Sequence, residues 1–242
     1  RRRPLLRAAM VAAATWAVLG GASLRAEARV LAGSLADGDL AAARARLPHL
    51  CGREPSALDE KELTRATVES VAENTSDAVV APLLWGAVAG LPGLVGYRAV
   101  NTLDAMVGSR SARYARFGTA SARLDDVANL VPARVTAALT VLSAPLVGGS
   151  PVRTLRVWRR DGASHPSPNS GHCEAAAAGA MDVRLGGRNQ YAGRVEERPS
   201  LGDGPRPGLR DIERAARLSA AVGFAAAGLA VVIAATRKGG AR

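Results

Sequence analysis

The 242 residues leave room for one sizeable domain, and 48% of them are hydrophobic while only 3% are aromatic. Lys and Arg outnumber Asp and Glu by 32 to 21, a net charge of +11. No aromatic side chains interleave with the basic ones as a stacking platform requires, so no nucleic-acid partner is expected. Two well-separated cysteines, Cys51 and Cys173, and three scattered histidines exclude a disulfide framework and a dedicated zinc cage.

Ala and Gly dominate the apolar residues. GC-rich coding inflates both, but small residues also suit helices whose backbones approach closely inside a membrane. A helix spans a bilayer with about 20 apolar residues, and about 17 suffice. Four stretches carry no charge over that length: about 8–24, 78–97, 135–152 and 218–236. Between the first two, Leu24, Ala28, Leu31 and Leu35 recur at helical spacing, and Asp37-Gly38-Asp39 marks a turn. Ser56-Ala57-Leu58-Asp59 resembles a capping box and predicts a helix running to about Asn74.

The second stretch carries Pro82 and the Gly90-Leu91-Pro92-Gly93 break, and the third carries Pro145, Gly148, Gly149 and Pro151, so either is expected to be kinked or re-entrant. Residues 159–171 and 186–208 read as loops from their Gly, Pro, Ser and Asn content. A basic helical lead-in over 209–217, with Arg206, Arg210 and Arg214 on one face, precedes the last and cleanest apolar run. The expected fold is an all-α, polytopic integral membrane helical bundle with long polar helical loops, a single domain over residues 1–242.

Three polar clusters flank the apolar stretches. Glu69, Glu73 and Asp77 fall at i, i+4 and i+8, so one helical face carries three carboxylates, with Asn74 beside them. Such a face suits Mg²⁺, and equally a solvated helix end. In the second cluster Asn101 and Asp104 precede Arg123, Asp125, Asp126, Asn129 and Arg134. Arg for phosphate and Asp or Asn for metal are the tools of phosphoryl transfer, although ion pairs beside a membrane look similar. The third, His165-Pro166-Ser167-Pro168-Asn169-Ser170-Gly171 followed by Glu174, is a proline-stiffened loop opening onto a helix start suited to an anion. A lone loop histidine is more often structural than catalytic. Arg184-Leu185-Gly186-Gly187-Arg188-Asn189 adds a second basic, glycine-containing turn. No Walker-type loop, kinase glycine loop, GxSxG elbow or HExxH helix is present.

These clusters resemble, in order, four blocks of the adenosylcobinamide-phosphate synthase family, the CobD/CbiB cobalamin biosynthesis proteins. The blocks are Glu69 to Asp77 around Val71-Ala72-Glu73-Asn74-Thr75, Tyr97 to Gly108 with Phe117 to Asn129, His165 to Gly171, and Arg184 to Gly187. Thr119 and His172-Cys173 depart from aromatic and aromatic-Pro positions usual in the family. The family's customary opening segment is not seen, which leads us to expect an N-terminally short chain.

The resemblance implies a multi-pass enzyme of the cell (inner) membrane. It implies ATP-driven amide ligation of (R)-1-aminopropan-2-ol O-phosphate to adenosylcobyric acid, with ATP and Mg²⁺ as co-substrate and activator. On that reading Glu73, Asp104, Arg123, Asp125, Asp126, His165 and Asn169 are the expected catalytic set, with His165 as a base. Asn74, Asn101, Asn129, Arg134, Ser167, Ser170, Glu174, Arg184 and Asn189 are expected to bind substrate or nucleotide. Glu69, Glu73, Asp77 and Asp125 are the expected Mg²⁺ ligands. Lipid, other corrinoid-pathway enzymes and further copies of the chain are the expected partners; a transporter or a non-catalytic scaffold of the pathway are the alternatives. If all four stretches cross fully, the second cluster lies opposite the other two, so a re-entrant second stretch or a shared inner cavity is expected.

Overall fold

The computed structural model describes residues 2–108, 115–191 and 194–239. The first apolar stretch is two helices, α1 (Arg2–Val18) and α2 (Gly21–Ala36), parted at Leu19 and Gly20. The Gly20 N–H donates to the Ala78 carbonyl at 3.0 Å, which pins this junction to the start of the second stretch. Helix α2 buries Leu24, Ala28, Leu31 and Leu35, the stripe that the periodicity predicts. After the turn, Asp39 caps α3 (Leu40–Arg46) by accepting from the Ala42 N–H at 2.8 Å. Helix α4 (Glu60–Thr75) is capped by Asp59, which accepts from the Glu62 N–H at 2.8 Å, not by Ser56 as the box pattern suggests. A carboxylate at that position both satisfies an orphan N–H and complements the helix dipole.

Helix α4 runs through a π-helical turn, Ser76–Val80, into α5 (Ala81–Leu103), and a second π-turn follows at Asp104–Gly108. Helix α5 is not straight: Gly90 sits at φ 68°, ψ −153°, where the chain doubles back. A Cβ on Gly86 would lie 3.4 Å from the Leu94 Cβ, and one on Gly93 would collide with the Trp85 carbonyl oxygen at 2.2 Å. In an unbroken helix, positions 86 and 94 are roughly 12 Å apart. Glycine is required at residue 90 because a side chain resists that backbone conformation. The apolar arms, 78–89 and 91–100, each reach roughly 15–18 Å, about half of a 30 Å hydrocarbon layer. The second stretch is therefore a helical hairpin whose arms lie side by side.

Helix α6 (Ala115–Ser143) begins well before residue 135 and ends in a 3₁₀ turn, Ala144–Val147, with Gly148 left-handed at φ 76°. The third apolar stretch is thus only the second half of a longer helix. Ser150 caps α7 (Pro151–Asp161), which extends into the first expected loop, and α8 (Ser170–Met181) is buried almost all round by its small residues. The second expected loop holds an antiparallel β-hairpin, β1 (Leu185–Tyr191) with β2 (Arg194–Leu201), so the fold is helical but not purely α. Gly-Gly and Pro tokens read as irregular because tertiary packing, not propensity, holds this pair. Helix α9 (Leu209–Gly239) closes the bundle along α2 and α4, with Arg29 pairing with Glu213 at 2.8 Å and Thr75 donating to the Ser219 hydroxyl at 2.7 Å. Arg206 lies before α9 rather than on its face, and pairs with Glu62.

Four helical stretches are long and apolar enough to cross a membrane: Pro4–Ala36, Glu60–Gly108, Gly118–Val147 and Leu209–Arg237. Their most apolar windows are only 6–44% buried. Leu5, Met10, Trp16, Val88, Val95, Phe224 and Val231, on α1, α5 and α9, are all exposed. A water-soluble fold buries such runs; here many of their large apolar side chains face out, as lipid allows.

Candidate functional site

One polar cavity of about 300 Å³ lies at the other end of the α5 arms. Helix α4 supplies Glu73 and Asn74, and the first π-turn supplies Ser76 and Asp77. The returning arm and second π-turn supply Asn101, Asp104 and Ala105, and α6 supplies Asp125, Asp126, Asn129 and Ala133. His165, Ser167 and Asn169 come from the proline loop, Ser170 and Cys173 from α8, and Arg198 from β2. Because the α5 hairpin folds back, the three clusters meet in one place.

Both π-turns face this cavity. An extra residue per turn rotates the following side chains, which brings Asp77 and Asp104 to the same chamber; such turns recur at functional sites. Asp125 is held by two amides, Asn101 Nδ2 at 3.3 Å and Asn129 Nδ2 at 2.9 Å. Tyr97 fixes Asn129 in turn, donating to its Oδ1 at 2.8 Å. Glu73 accepts from the Ser170 hydroxyl at 2.5 Å, and Asn169 Nδ2 donates to the Asp126 carbonyl at 2.8 Å. Ser167 Oγ accepts from the Asn169 and Ser170 N–H groups at 3.3 and 3.2 Å, so the loop caps α8 through this serine. Gly171 is required there, since a Cβ would lie 2.4 Å from the His165 Cβ.

The Ser167 N–H donates to His165 Nδ1 at 3.0 Å. That leaves the proton of the neutral ring on Nε2, making His165 a donor rather than the expected base. Burial, reinforced by the charge of Arg198, pulls its pKa below the usual histidine value, so the neutral form prevails near pH 7. Cys173 is buried with its thiol pushed up by burial, a packing residue rather than a nucleophile.

Twelve expected site residues line the cavity, and six do not. Glu69 turns away from Glu73 and Asp77 into a buried brace: it pairs with Arg53, accepts from Arg65 at 3.1 Å and accepts from the Gly186 N–H at 2.7 Å. Asn189 belongs to the same brace, accepting from Arg65 at 2.9 Å. Glu174 lies buried behind the wall, 3.9 Å from Arg198, with its carboxyl pushed up by burial. Arg123, Arg134 and Arg184 are exposed, and Arg134 folds back along its own helix, donating to the Leu130 carbonyl at 2.8 Å. The cavity's arginine is instead Arg198, which sits in what reads from sequence as loop; only the strand pairing reveals its direction.

The expected Mg²⁺ set of Glu69, Glu73, Asp77 and Asp125 does not converge. Among the described residues no three His, Cys, Asp or Glu side chains come together closely enough to cage a metal. Five carboxylates nevertheless face one cavity, with Asp125 already oriented by two amides. That donor chemistry fits a hard cation arriving with phosphate oxygens of its own, the usual habit of Mg²⁺.

The fold and site define a helical protein with helices long and apolar enough to cross a membrane and a polar cavity lined by five carboxylates and one arginine. The model of the CobD/Cbib protein family matches residues 2–219. The chain is 57% identical over 225 residues to the "Cobalamin biosynthesis protein CobD" of Mycobacterium tuberculosis, covering 93% of this chain and 72% of that protein. Proteins of the same name from Geobacter metallireducens and Chromobacterium violaceum are 49% and 47% identical, over 84% and 90% of this chain and 64% and 68% of theirs. No solved structure matches. The chain belongs to the CobD/CbiB family of cobalamin biosynthesis proteins.

Proposed function

We propose that this protein is an adenosylcobinamide-phosphate synthase, a carbon–nitrogen ligase and a multi-pass protein of the cell (inner) membrane. It joins (R)-1-aminopropan-2-ol O-phosphate to a propionate carboxylate of adenosylcobyric acid at the expense of ATP. The observation that carries this reading is the convergence of acids, amides, the histidine loop and one arginine on a single small cavity.

A carboxylate resists attack by an amine because its charge repels the nucleophile and oxide is a poor leaving group. In the proposed reaction a substrate carboxylate oxygen attacks the γ-phosphorus of ATP, the bond to ADP breaks, and an acyl phosphate forms. The amine nitrogen then attacks the acyl carbon, and inorganic phosphate departs with the electrons of the carbon–oxygen bond. Before that attack the ammonium must lose a proton, for which Glu73 and Asp104 are the available acceptors. Asn101 and Asn129 hold Asp125 in place, and Asn169 with Ser170 positions the loop. Asp125, with Asp77 or Asp104, would hold Mg²⁺, which when bound neutralises phosphate charge. A cavity of about 300 Å³ admits the small amine and the tip of a propionate arm, while the corrin ring stays at the mouth.

The test is purified protein in a lipid bilayer, supplied with adenosylcobyric acid, ATP and aminopropanol phosphate, with products read by mass spectrometry. The amide product together with ADP is expected; an intact corrinoid alongside unconsumed ATP would overturn the ligase reading.

A further inference from the structure

Four buried polar atoms of the cavity lining have no partner: the nitrogen donors His165 Nε2 and Arg198 Nε, the Ser76 hydroxyl and Asn169 Oδ1. His165 is 7% exposed and the Arg198 side chain 16%. Both groups can only donate, since the ring proton of His165 is fixed on Nε2 and a guanidinium has no acceptor. Leaving such groups unpaired in a buried site is costly, so the pocket is built for an acceptor that is not part of the chain.

Arg198 is also held in place, with long ion pairs only. Its guanidinium stacks over the Tyr191 ring at 5.3 Å, and its two carboxylates, Glu174 and Glu196, stand off at 3.9 and 3.8 Å. Burial pushes the Glu174 carboxyl toward its neutral form. Beneath, the Glu69, Arg53, Arg65 and Asn189 brace ties the β-hairpin to α4, fixing where Arg198 reaches. The cation therefore shares the cavity with the carboxylates of α4, the two π-turns and α6.

We propose that Arg198 and His165 form an oxyanion subsite that receives a phosphoryl group inside the acid-lined cavity. This rests on the ligase reading, in which two substrates carry phosphoryl groups: the phosphorylated amino alcohol and the nucleotide. The shared chemistry is a phosphate oxyanion accepting from a guanidinium and an imidazole N–H.

The full-length protein in bilayers is assayed with Arg198→Gln, Arg198→Lys and His165→Phe, varying each substrate in turn. The phosphorylated amino alcohol is compared with the unphosphorylated one. Arg198→Gln is expected to raise the KM of one phosphoryl substrate by roughly 30-fold or more, the loss typical of a buried charged contact. Arg198→Lys restores part of it, and His165→Phe shifts the same KM. A rise for the phosphorylated amine, with the unphosphorylated amine untouched, identifies the amine as occupant; a rise for ATP alone identifies the nucleotide. Unchanged KM for both, or an equal loss for the unphosphorylated amine, overturns the subsite. Calorimetric binding of aminopropanol phosphate and of ATP without turnover reads Arg198 even if no amide forms, which separates failure of the subsite from failure of the ligase reading.

Discussion

The two ends of the α5 hairpin solve opposite problems with the same helices. At the tip, around Gly90, apolar side chains of α1, α5 and α9 such as Met10, Val88 and Val231 point outward. At the base, the polar side chains point inward: Asn129, His165 and Asn169 are buried, and amides are spent on orienting Asp125. An apolar side chain facing lipid needs nothing further, whereas every buried polar group must find a partner or wait for a ligand. The base is therefore where single substitutions cost most, and the tip is where they are tolerated unless they touch the turn.

The sharpest way to break this contrast is at the base. Asp125→Ala should lower product formation by roughly 100-fold or more while leaving membrane insertion intact, checked by mass spectrometry and by membrane fractionation. Normal turnover would remove Asp125 from the site. Next in size is the brace: Arg53→Ala removes one of the two cations on the buried Glu69 carboxylate, leaving Arg65, and should cost less than the roughly 3–5 kcal/mol of a fully stranded charge in unfolding experiments in detergent. Replacing both partners by Met should cost much less, because no lone charge is left behind.

At the tip, Gly90→Val should destabilise by about 1–3 kcal/mol through backbone strain alone, and should also depress activity because the returning arm carries Asn101 and Asp104. A stable, fully active Gly90→Val protein would mean that the hairpin is dispensable to the site.

A gentler probe is pH. Burial holds His165 and His172 below the model histidine value of 6.5. The unfolded chain then binds more protons than the folded one just under pH 6.5, so this stability is present above that value and is lost as pH falls through the depressed pKa values. Relative to the His165→Phe, His172→Phe double variant, the thermal midpoint should fall between about pH 7 and 5, while the raised Glu174 carboxyl acts with the opposite sign in both proteins. Smallest of all, Arg29→Ala removes a half-exposed pair with Glu213 and should change stability by less than about 1 kcal/mol.

What could be read from sequence tracks the range of the interaction involved. The α2 stripe of Leu24, Ala28, Leu31 and Leu35 and the last apolar run were legible because helical periodicity and apolar length are local properties. The three polar clusters were legible as clusters, and twelve of the expected site residues do meet. The errors fall where direction mattered. Glu69 shares a helix face with Glu73 by spacing, but Arg53 and Arg65 draw it elsewhere. Arg123 and Arg134 carry the right charge on the wrong side of α6, and Arg198 was hidden in a stretch whose glycines and proline masked two strands.

By itself the sequence determined the helical, membrane-suited character, the family, and the residue types available for chemistry, because composition, length and short-range spacing suffice for these. Only the tertiary structure decided that the chain reverses at Gly90, that two π-turns aim Asp77 and Asp104 into one chamber, and that Arg198 supplies its cation. Those outcomes depend on contacts between residues far apart in the chain, and no local pattern encodes the direction in which a side chain will find its partner.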